Sequence, residues 1–211
     1  MTKIKTTKIL MIVAILPTIL MLSGCNPLEK QSQSTSFIIV ENILGSNING
    51  DESNFLQSDV VRVNAGGGTT VFADQAKANL RAAMYDPAPI LKPTEYNDII
   101  LDRYIVSYSR TDGKNSQGVD VPYTFEGSLT QLLKVGTSTA ISFVVVREVA
   151  KLEPPLLDLV ANRAEGAIEM TATIDFYGHD MINHTVKATG YLTIFFANYA
   201  DPASTTAAAG L

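Results

Sequence analysis

The chain has 211 residues, 46% of them apolar, and this is enough for one domain with a sizeable core. Its formal charge of −5 disfavours nucleic-acid binding, which needs clustered Lys and Arg, and electrostatic docking on anionic lipid. A single cysteine excludes an intramolecular disulfide, so packing alone must stabilise the fold.

The N-terminus has the order of charge and hydropathy that is typical of a secretory signal peptide. Lys3, Lys5 and Lys8 precede an apolar run over residues 9–22. The run is shorter than the ~18 to 20 apolar residues that a membrane-spanning helix needs. We therefore predict that this segment directs export.

The signal run ends in Leu22-Ser23-Gly24-Cys25, and Cys25 is the only cysteine of the chain. These four residues resemble the bacterial lipobox. The resemblance implies that residues 1–24 are removed and that Cys25, the new N-terminus, is lipidated. Removing 24 residues that include three lysines leaves 187 residues with a formal charge of −8.

Residues 25–36 are predicted to form a lipidated, flexible tether because polar side chains dominate after Cys25. This chain resembles enteric lipoproteins, in which an aspartate directly after the lipidated cysteine causes retention in the inner membrane. Here that position is Asn26. The resemblance therefore implies the cell envelope, and the outer membrane more than the inner. Each buried methylene contributes ~0.8 kcal/mol, so two or three acyl chains would release very slowly.

Short strands separated by turn formers follow the tether. Residues 37–44 form the first predicted strand, with Ile38 and Ile43 on opposite faces. Two further strands are predicted at residues 60–63 and 69–73.

Residues 75–85 fit two kinds of secondary structure. Apolar and polar residues alternate, which is typical of a half-buried strand. The same segment places Ala76, Leu80, Ala83 and Met84 at helical spacing, and alanine favours helix. We prefer the strand because the neighbouring segments are predicted strands.

Three strands are predicted in the middle of the chain. Residues 99–110 form a long strand with Tyr104 and Tyr108 on one face. Residues 123–129 form a weaker strand. The near-continuous apolar run at residues 140–146 predicts a strand that is buried on both faces or close to it.

The clearest pattern lies near the C-terminus. Apolar and polar residues alternate over residues 168–176 and 186–196, on either side of a polar loop at 178–183. This predicts a hairpin in which Ile174 and Ile194 are fully buried at mid-strand.

About seven or eight strands without a long helix predict an all-β fold, a single immunoglobulin-like antiparallel β-sandwich over residues 37–201. The tail at residues 202–211 is predicted to be disordered because it has nothing to bury.

Two segments resemble known families. The run Tyr104-Ile105-Val106-Ser107-Tyr108, followed by Asp112-Gly113, is similar to the central strand and turn of fibronectin type III domains. The C-terminal part resembles an uncharacterised group of bacterial lipoproteins, and no function attaches to that group. The residues that carry this second resemblance are Ala172-Thr173-Ile174-Asp175-Phe176-Tyr177-Gly178, Thr189-Gly190 and Phe196-Ala197-Asn198-Tyr199-Ala200-Asp201.

Two histidines are the first candidates for chemistry. His179 and His184 flank the predicted loop with Asp180 between them, but their spacing fits no zinc signature. We interpret the three as a solvated hairpin tip and predict neither a metal nor a cofactor. The lipobox resemblance implies that Cys25 is lipidated. The run at residues 136–140 only partly matches a nucleophile elbow, because a loop leads into a predicted strand rather than a strand into a helix. The chain is therefore predicted not to be an enzyme.

Candidate partner-binding residues lie in two places. Tyr177 and Tyr191 are predicted on the solvent face of the last hairpin, where they either pair across the strands, which we favour, or contact a partner. Leu156, Leu157 and Leu159 belong to a segment too short for an independent helix. They either plug one end of the sandwich, which we favour, or form an exposed apolar patch.

The sequence therefore predicts a non-catalytic, lipid-anchored protein of the cell envelope that acts as a structural or protein-binding module. Its partners would be the membrane, through the N-terminal lipid, and an envelope protein. The alternatives are a carrier of a small apolar ligand, which requires a cavity inside the sandwich, and an accessory domain of a hydrolase or a metal-binding domain.

Overall fold

The computed structural model describes residues 33–64, 67–86, 92–160 and 166–200. Residues 1–24, Cys25 with most of the predicted tether, and the tail at 202–211 lie outside the described residues. The strands are β1 (Ser36–Ser46), β2 (Glu52–Ser53), β3 (Phe55–Asp59), β4 (Arg62–Val63), β5 (Thr69–Thr70), β6 (Asp74–Met84), β7 (Ile99–Ser109), β8 (Phe125–Leu133), β9 (Ser138–Val146), β10 (Ala167–Asp180) and β11 (Thr185–Ala197).

Two sheets face each other, with the strand orders β2-β1-β6-β9 and β3-β11-β10-β7-β8, and β4 pairs with β5 in a separate ribbon. Among the described residues the paired strands are antiparallel, apart from β3, which runs parallel to β11. One sheet contains the first, second and fifth long strands, and the other contains the third, fourth, sixth and seventh. This is an immunoglobulin-like strand order, so the predicted all-β sandwich is confirmed.

The first strand differs from its prediction because it contains a β-bulge. The register with β6 shifts between Val40 and Asn42. An extra residue reverses the alternation of side chains beyond it. Ile38 and Ile43 therefore both face the core, with 6% and 7% of their surface exposed, and the prediction that they lie on opposite faces is wrong.

Residues 75–85 form a strand, as preferred over a helix. Strand β6 lies between β1 and β9, and its core-facing residues Ala76, Ala78, Leu80 and Ala82 are buried. The helical propensity of alanine is a weak preference, and packing on both strand neighbours overrides it here.

The strand predicted at residues 60–63 is displaced toward the N-terminus. The regular strand is β3, and only Arg62 and Val63 form part of a second short strand, β4. Val60 is nevertheless in the core and donates its backbone N–H to the carbonyl of Ala197 at 3.0 Å. The strand predicted at 69–73 is reduced to β5, which contains only two residues.

The middle strands agree with their predictions in position, and two details differ. Strand β8 begins at Phe125 and extends to Leu133, beyond the predicted end at residue 129. The prediction that residues 140–146 are buried on both faces, or close to it, holds only at Val145 and Val146, which are both 0% exposed. Strand β9 is an edge strand, with Ile141 and Phe143 in the core and Ser142 exposed.

The C-terminal hairpin is confirmed, and its strands are longer than predicted. Ile174 and Ile194 are both 0% exposed. Strand β10 continues through the predicted loop to Asp180, so the turn contains only residues 181–184. The extension is favoured because β7 pairs with β10 as far as Asp180.

Helical structure is confined to short segments of the described chain. Two single-turn helices, α1 (Glu148–Lys151) and α2 (Leu156–Val160), connect β9 to β10, and a 3-10 turn at Glu95–Asn97 precedes β7. Within the described ranges, none of the helices has the length and hydropathy to cross a membrane.

The strand directions define two ends of the sandwich, for which we use two names. The tether end is where the chain enters at Ser34; it also contains the 3-10 turn before β7 and the turn at residues 181–184. The far end contains α1, α2 and the connection between β7 and β8.

Candidate functional site

The outer face of the five-stranded sheet holds a tyrosine between two cations. Tyr177 on β10 lies opposite Lys187 on β11 and opposite Arg103 on β7. The guanidinium carbon of Arg103 is 4.4 Å from the centroid of the Tyr177 ring, and the Nζ atom of Lys187 is 5.3 Å from it. Because an aromatic face attracts cations at these distances, the ring is held from both sides.

Two carboxylates fix the cations. Glu126 on β8 accepts a hydrogen bond from Nη1 of Arg103 at 2.9 Å. Asp175 accepts from Nζ of Lys187 at 2.9 Å and from the Thr189 hydroxyl at 2.6 Å. The hydrogen bond to Asp175 raises the pKa of Lys187. Burial acts to raise the pKa of Asp175, but its bonds to Thr189 and Lys187 outweigh burial and lower it.

These contacts form one network of alternating charge across four neighbouring strands. We call it the Tyr177 network; its members are Glu126, Arg103, Tyr177, Lys187, Asp175 and Thr189. Each charged group already has a partner of opposite sign, so the network presents a fixed shape and charge pattern on the sheet surface. That arrangement suits recognition of another surface rather than proton transfer.

Tyr191 does not pair with Tyr177, so the favoured prediction of a cross-strand pair is wrong. The register of the hairpin places Tyr191 opposite Thr173 and Tyr177 opposite Lys187. Tyr191 is 65% exposed and lies on the same outer face, four positions from Lys187 along β11. The alternation of apolar residues predicted the face correctly, but the register depends on the turn, which lies at residues 181–184 rather than at the predicted 178–183.

The three leucines have different environments. Leu156 and Leu159 are 0% and 4% exposed and close the far end of the core, so they are inaccessible to a partner in this structure. Leu157 is 43% exposed, and Val149 of α1 and Leu152, which directly follows α1, are similarly exposed. Leu157 therefore belongs to an apolar surface at the far end, separate from the tyrosines.

Asp180 is buried, so its predicted place on a solvated tip is wrong. Its Oδ1 atom accepts the backbone N–H groups of Ile182 at 3.0 Å and His184 at 2.8 Å, and its Oδ2 atom lies 3.0 Å from Nδ1 of His184. Burial acts to raise the pKa of Asp180, but hydrogen bonds from His184, Ser34 and Ile182 outweigh it and lower that pKa. The side chain is a structural support for the turn.

His179 belongs to a different contact. Its Nδ1 atom lies 3.0 Å from Oδ2 of Asp102, and both side chains are partly exposed. Over the described ranges, His, Cys, Asp and Glu side chains form no group of three or more that could hold a metal ion.

A buried lysine is the main polar feature that the sequence pattern did not predict. Lys151 is 2% exposed, and its Nζ atom lies 2.9 Å from Oδ2 of Asp74 and 2.7 Å from the carbonyl oxygen of Asp59. Ser58, also buried, donates its hydroxyl to the same Oδ2 atom at 2.6 Å. Lys151 and Ser58 therefore both bind the carboxylate of Asp74. In a serine–lysine catalytic pair the amine instead accepts the proton of the serine hydroxyl, so this arrangement is not such a pair.

A depression of about 360 Å³ lies on the outer side of the four-stranded sheet at the tether end. Arg81 and Ala83 line it, and they alternate along β6 with the core residues Leu80 and Ala82. A carrier of an apolar ligand would need a cavity between the two sheets, and the depression lies outside that space. It does not support the carrier alternative.

The comparisons with known proteins give no assignment: no family model matches the chain, and neither a curated protein nor a solved structure matches it significantly. The resemblance to a lipoprotein group therefore remains a prediction from the sequence.

Proposed function

We propose that this protein is a non-catalytic module, anchored in the cell envelope by a lipid on Cys25, that binds another envelope protein. The observation that carries the proposal is the lipobox-like segment, which ends at the only cysteine of the chain. A compact unit begins at Ser34, nine residues beyond Cys25. This order of signal, anchor and folded domain suits a protein held at a membrane surface.

Two polar clusters of the described residues support a non-catalytic role because each has a structural use. Lys151 and Ser58 fasten Asp74 at the far end of the core. Asp180 orders a turn through His184. A catalytic group needs an accessible reacting atom beside a suitable base, and these contacts do not supply one.

The outer face of the five-stranded sheet is the proposed contact surface. It combines the exposed ring of Tyr191 with the Tyr177 network, whose side chains are held in place before any partner arrives. Tyrosine and arginine are enriched at the centres of protein interfaces, and preorganised side chains reduce the entropy lost on binding.

Site-specific photo-crosslinking in cells tests this assignment. A photoreactive residue replaces Tyr191, and a matched control replaces Lys77, whose half-exposed side chain lies on the other sheet. We expect a discrete crosslinked product from position 191 and none from position 77. Equal products from both positions, or none from 191, would contradict the assignment. A third variant has the photoreactive residue in place of Leu157. A product from this variant alone would move the contact to the far end.

A second variant connects the crosslink to the network. Arg103→Ala removes one of the two cations that hold Tyr177, together with the partner of Glu126. We expect this variant to fold and to weaken crosslinking at position 191. Unchanged crosslinking would show that the Tyr177 network is not part of the contact surface.

A further inference from the structure

The point at which the chain enters the sandwich is hydrogen-bonded to two loops of the tether end. The Ser34 hydroxyl bonds to Asp180, which supports the turn at residues 181–184. The Ser36 hydroxyl donates to the carbonyl oxygen of Asn97 at 2.7 Å, and the Asn97 amide donates to the Thr35 hydroxyl at 2.8 Å. The entry point is therefore fixed between the hairpin turn and the 3-10 turn.

Both loops present apolar or aromatic side chains to solvent. Met181 and Ile182 at the hairpin turn are 47% and 59% exposed, although such turns usually contain Asn, Asp, Gly or Ser. Tyr96 of the 3-10 turn is 66% exposed. Aliphatic side chains and tyrosine are the residue types that partition into the interface of a bilayer.

The length of the tether limits which surface can reach the membrane. Nine residues, 25–33, separate the predicted lipid on Cys25 from the entry point, and a fully extended chain of nine residues spans at most about 30 Å. Strand β10 has 14 residues, which corresponds to about 45 Å between the tether end and the far end. The tether is therefore too short for an inverted orientation, in which the far end lies on the membrane and the tether end is directed away from it.

We propose that the apolar loops of the tether end, through Met181, Ile182 and Tyr96, lie in the headgroup region of the bilayer that holds the acyl chains of Cys25. This inference rests on the lipid anchor of the proposed function. Docking fixes the orientation of the sandwich, with the far end directed away from the membrane. Because the mature chain is acidic, apolar burial rather than charge attraction must stabilise the docked state, so neutral lipid suffices.

The test uses the lipidated protein in phosphatidylcholine vesicles. The thiol of Cys25 is blocked by the lipid, so Ile182→Cys introduces the one thiol that an environment-sensitive fluorophore can label. Val119→Cys is the matched control, because Val119 is similarly exposed, at 66%, on a far-end loop. We expect the label at 182 to shift its emission to shorter wavelength and to be quenched by spin-labelled lipid, and the label at 119 to do neither.

The possible failures are distinguishable. A label at 182 that stays water-like and unquenched, in protein that floats with the vesicles, would overturn docking and leave the anchor intact. Equal quenching at 182 and 119 would also overturn it, because the domain would then lie on its side. Protein that does not float with the vesicles would contradict the anchor itself. Tyr96→Cys provides a second position that must report the same result as 182.

Discussion

Lys151 forms an ion pair with Asp74 at 2.9 Å, although only 1% of the lysine side chain is exposed. The pair joins helix α1 to the first residue of β6, and the second bond of Lys151, to the Asp59 carbonyl oxygen, joins α1 to the end of β3. A buried charge is costly unless its hydrogen bonds are satisfied, and here the carboxylate and the carbonyl satisfy it. The contact closes the far end of the sandwich.

Removal of this lysine is predicted to destabilise the fold strongly. Lys151→Ala leaves the carboxylate of Asp74, whose side chain is only 17% exposed, without its cation, and breaking a largely buried pair on one side costs about 3 kcal/mol. Lys77→Ala is the control, since Lys77 pairs with Glu52 on the surface and such changes stay within about 0.5 kcal/mol. Chemical denaturation of both variants measures the difference. A similar loss for the two variants would mean that Lys151 is not a structural support.

The local sequence around Lys151 gives no sign of its burial. It follows Ala150 and precedes Leu152 in a segment of mixed charge, and this is typical of a solvated turn. Its partners Asp59 and Asp74 are 92 and 77 positions away along the chain. Only the sheet topology brings them together, so periodicity and turn chemistry could not predict this contact.

The centre of the last hairpin is predicted to contribute more to stability than its surface tyrosines. Ile174→Ala and Ile194→Ala each remove a fully buried side chain and should cost about 2 to 5 kcal/mol. Tyr177→Ala and Tyr191→Ala should each cost less than about 1.5 kcal/mol, since both rings lie on the outer face. Urea denaturation of the four variants tests the order. A larger loss for either tyrosine than for the isoleucines would contradict it.

Stability at low pH is predicted to depend on Asp180. Its pKa is lower in the folded chain than its ordinary value of 3.8, so its contribution is complete above the ordinary value and is lost as the pH falls through the lower, folded value. Asp180→Asn keeps an oxygen for the turn but does not titrate. The difference in unfolding free energy between wild type and this variant should therefore shrink below about pH 4.

A constant difference across that range would show that the charge of Asp180 does not stabilise the turn. His179→Ala is the control, because its contact with Asp102 is partly exposed and surface changes usually stay within about 0.5 kcal/mol.

Wild-type protein treated with a chelator should keep its denaturation midpoint. A drop after chelation, or stoichiometric zinc in purified protein, would contradict the prediction that no metal is needed.

Glycine at position 127 is predicted to be required for the packing of Tyr104. A Cβ atom at this position would lie 2.3 Å from Cζ of the Tyr104 ring, and that ring packs edge-on against Phe143 in the core. Gly127→Ala should therefore displace the ring and cost about 1 to 3 kcal/mol. Gly166→Ala serves as a control for space, since nothing lies within 4 Å of that position and its φ lies outside the left-handed region that favours glycine. If both variants were equally stable, the close contact would not constrain the fold.

Sequence periodicity predicted the elements that repeat regularly and missed the irregular ones. The alternation over β10 and β11 predicted the core face, including Ile174 and Ile194. The bulge near Glu41 had no sequence signal, so the face of Ile43 was mispredicted. Tyr177 and Tyr191 were placed on the correct face, but the cations around Tyr177 depend on strand register, which the turn length determines.

Membrane attachment through Cys25 is the central claim, and fractionation of cells that express wild type and Cys25→Ser tests it most directly. We predict that wild type is recovered in the membrane fraction as a processed protein that requires detergent, and that its N-terminal peptide begins at Cys25 with attached lipid. The Cys25→Ser protein should be unprocessed or soluble. A processed, detergent-requiring form of Cys25→Ser would contradict the account.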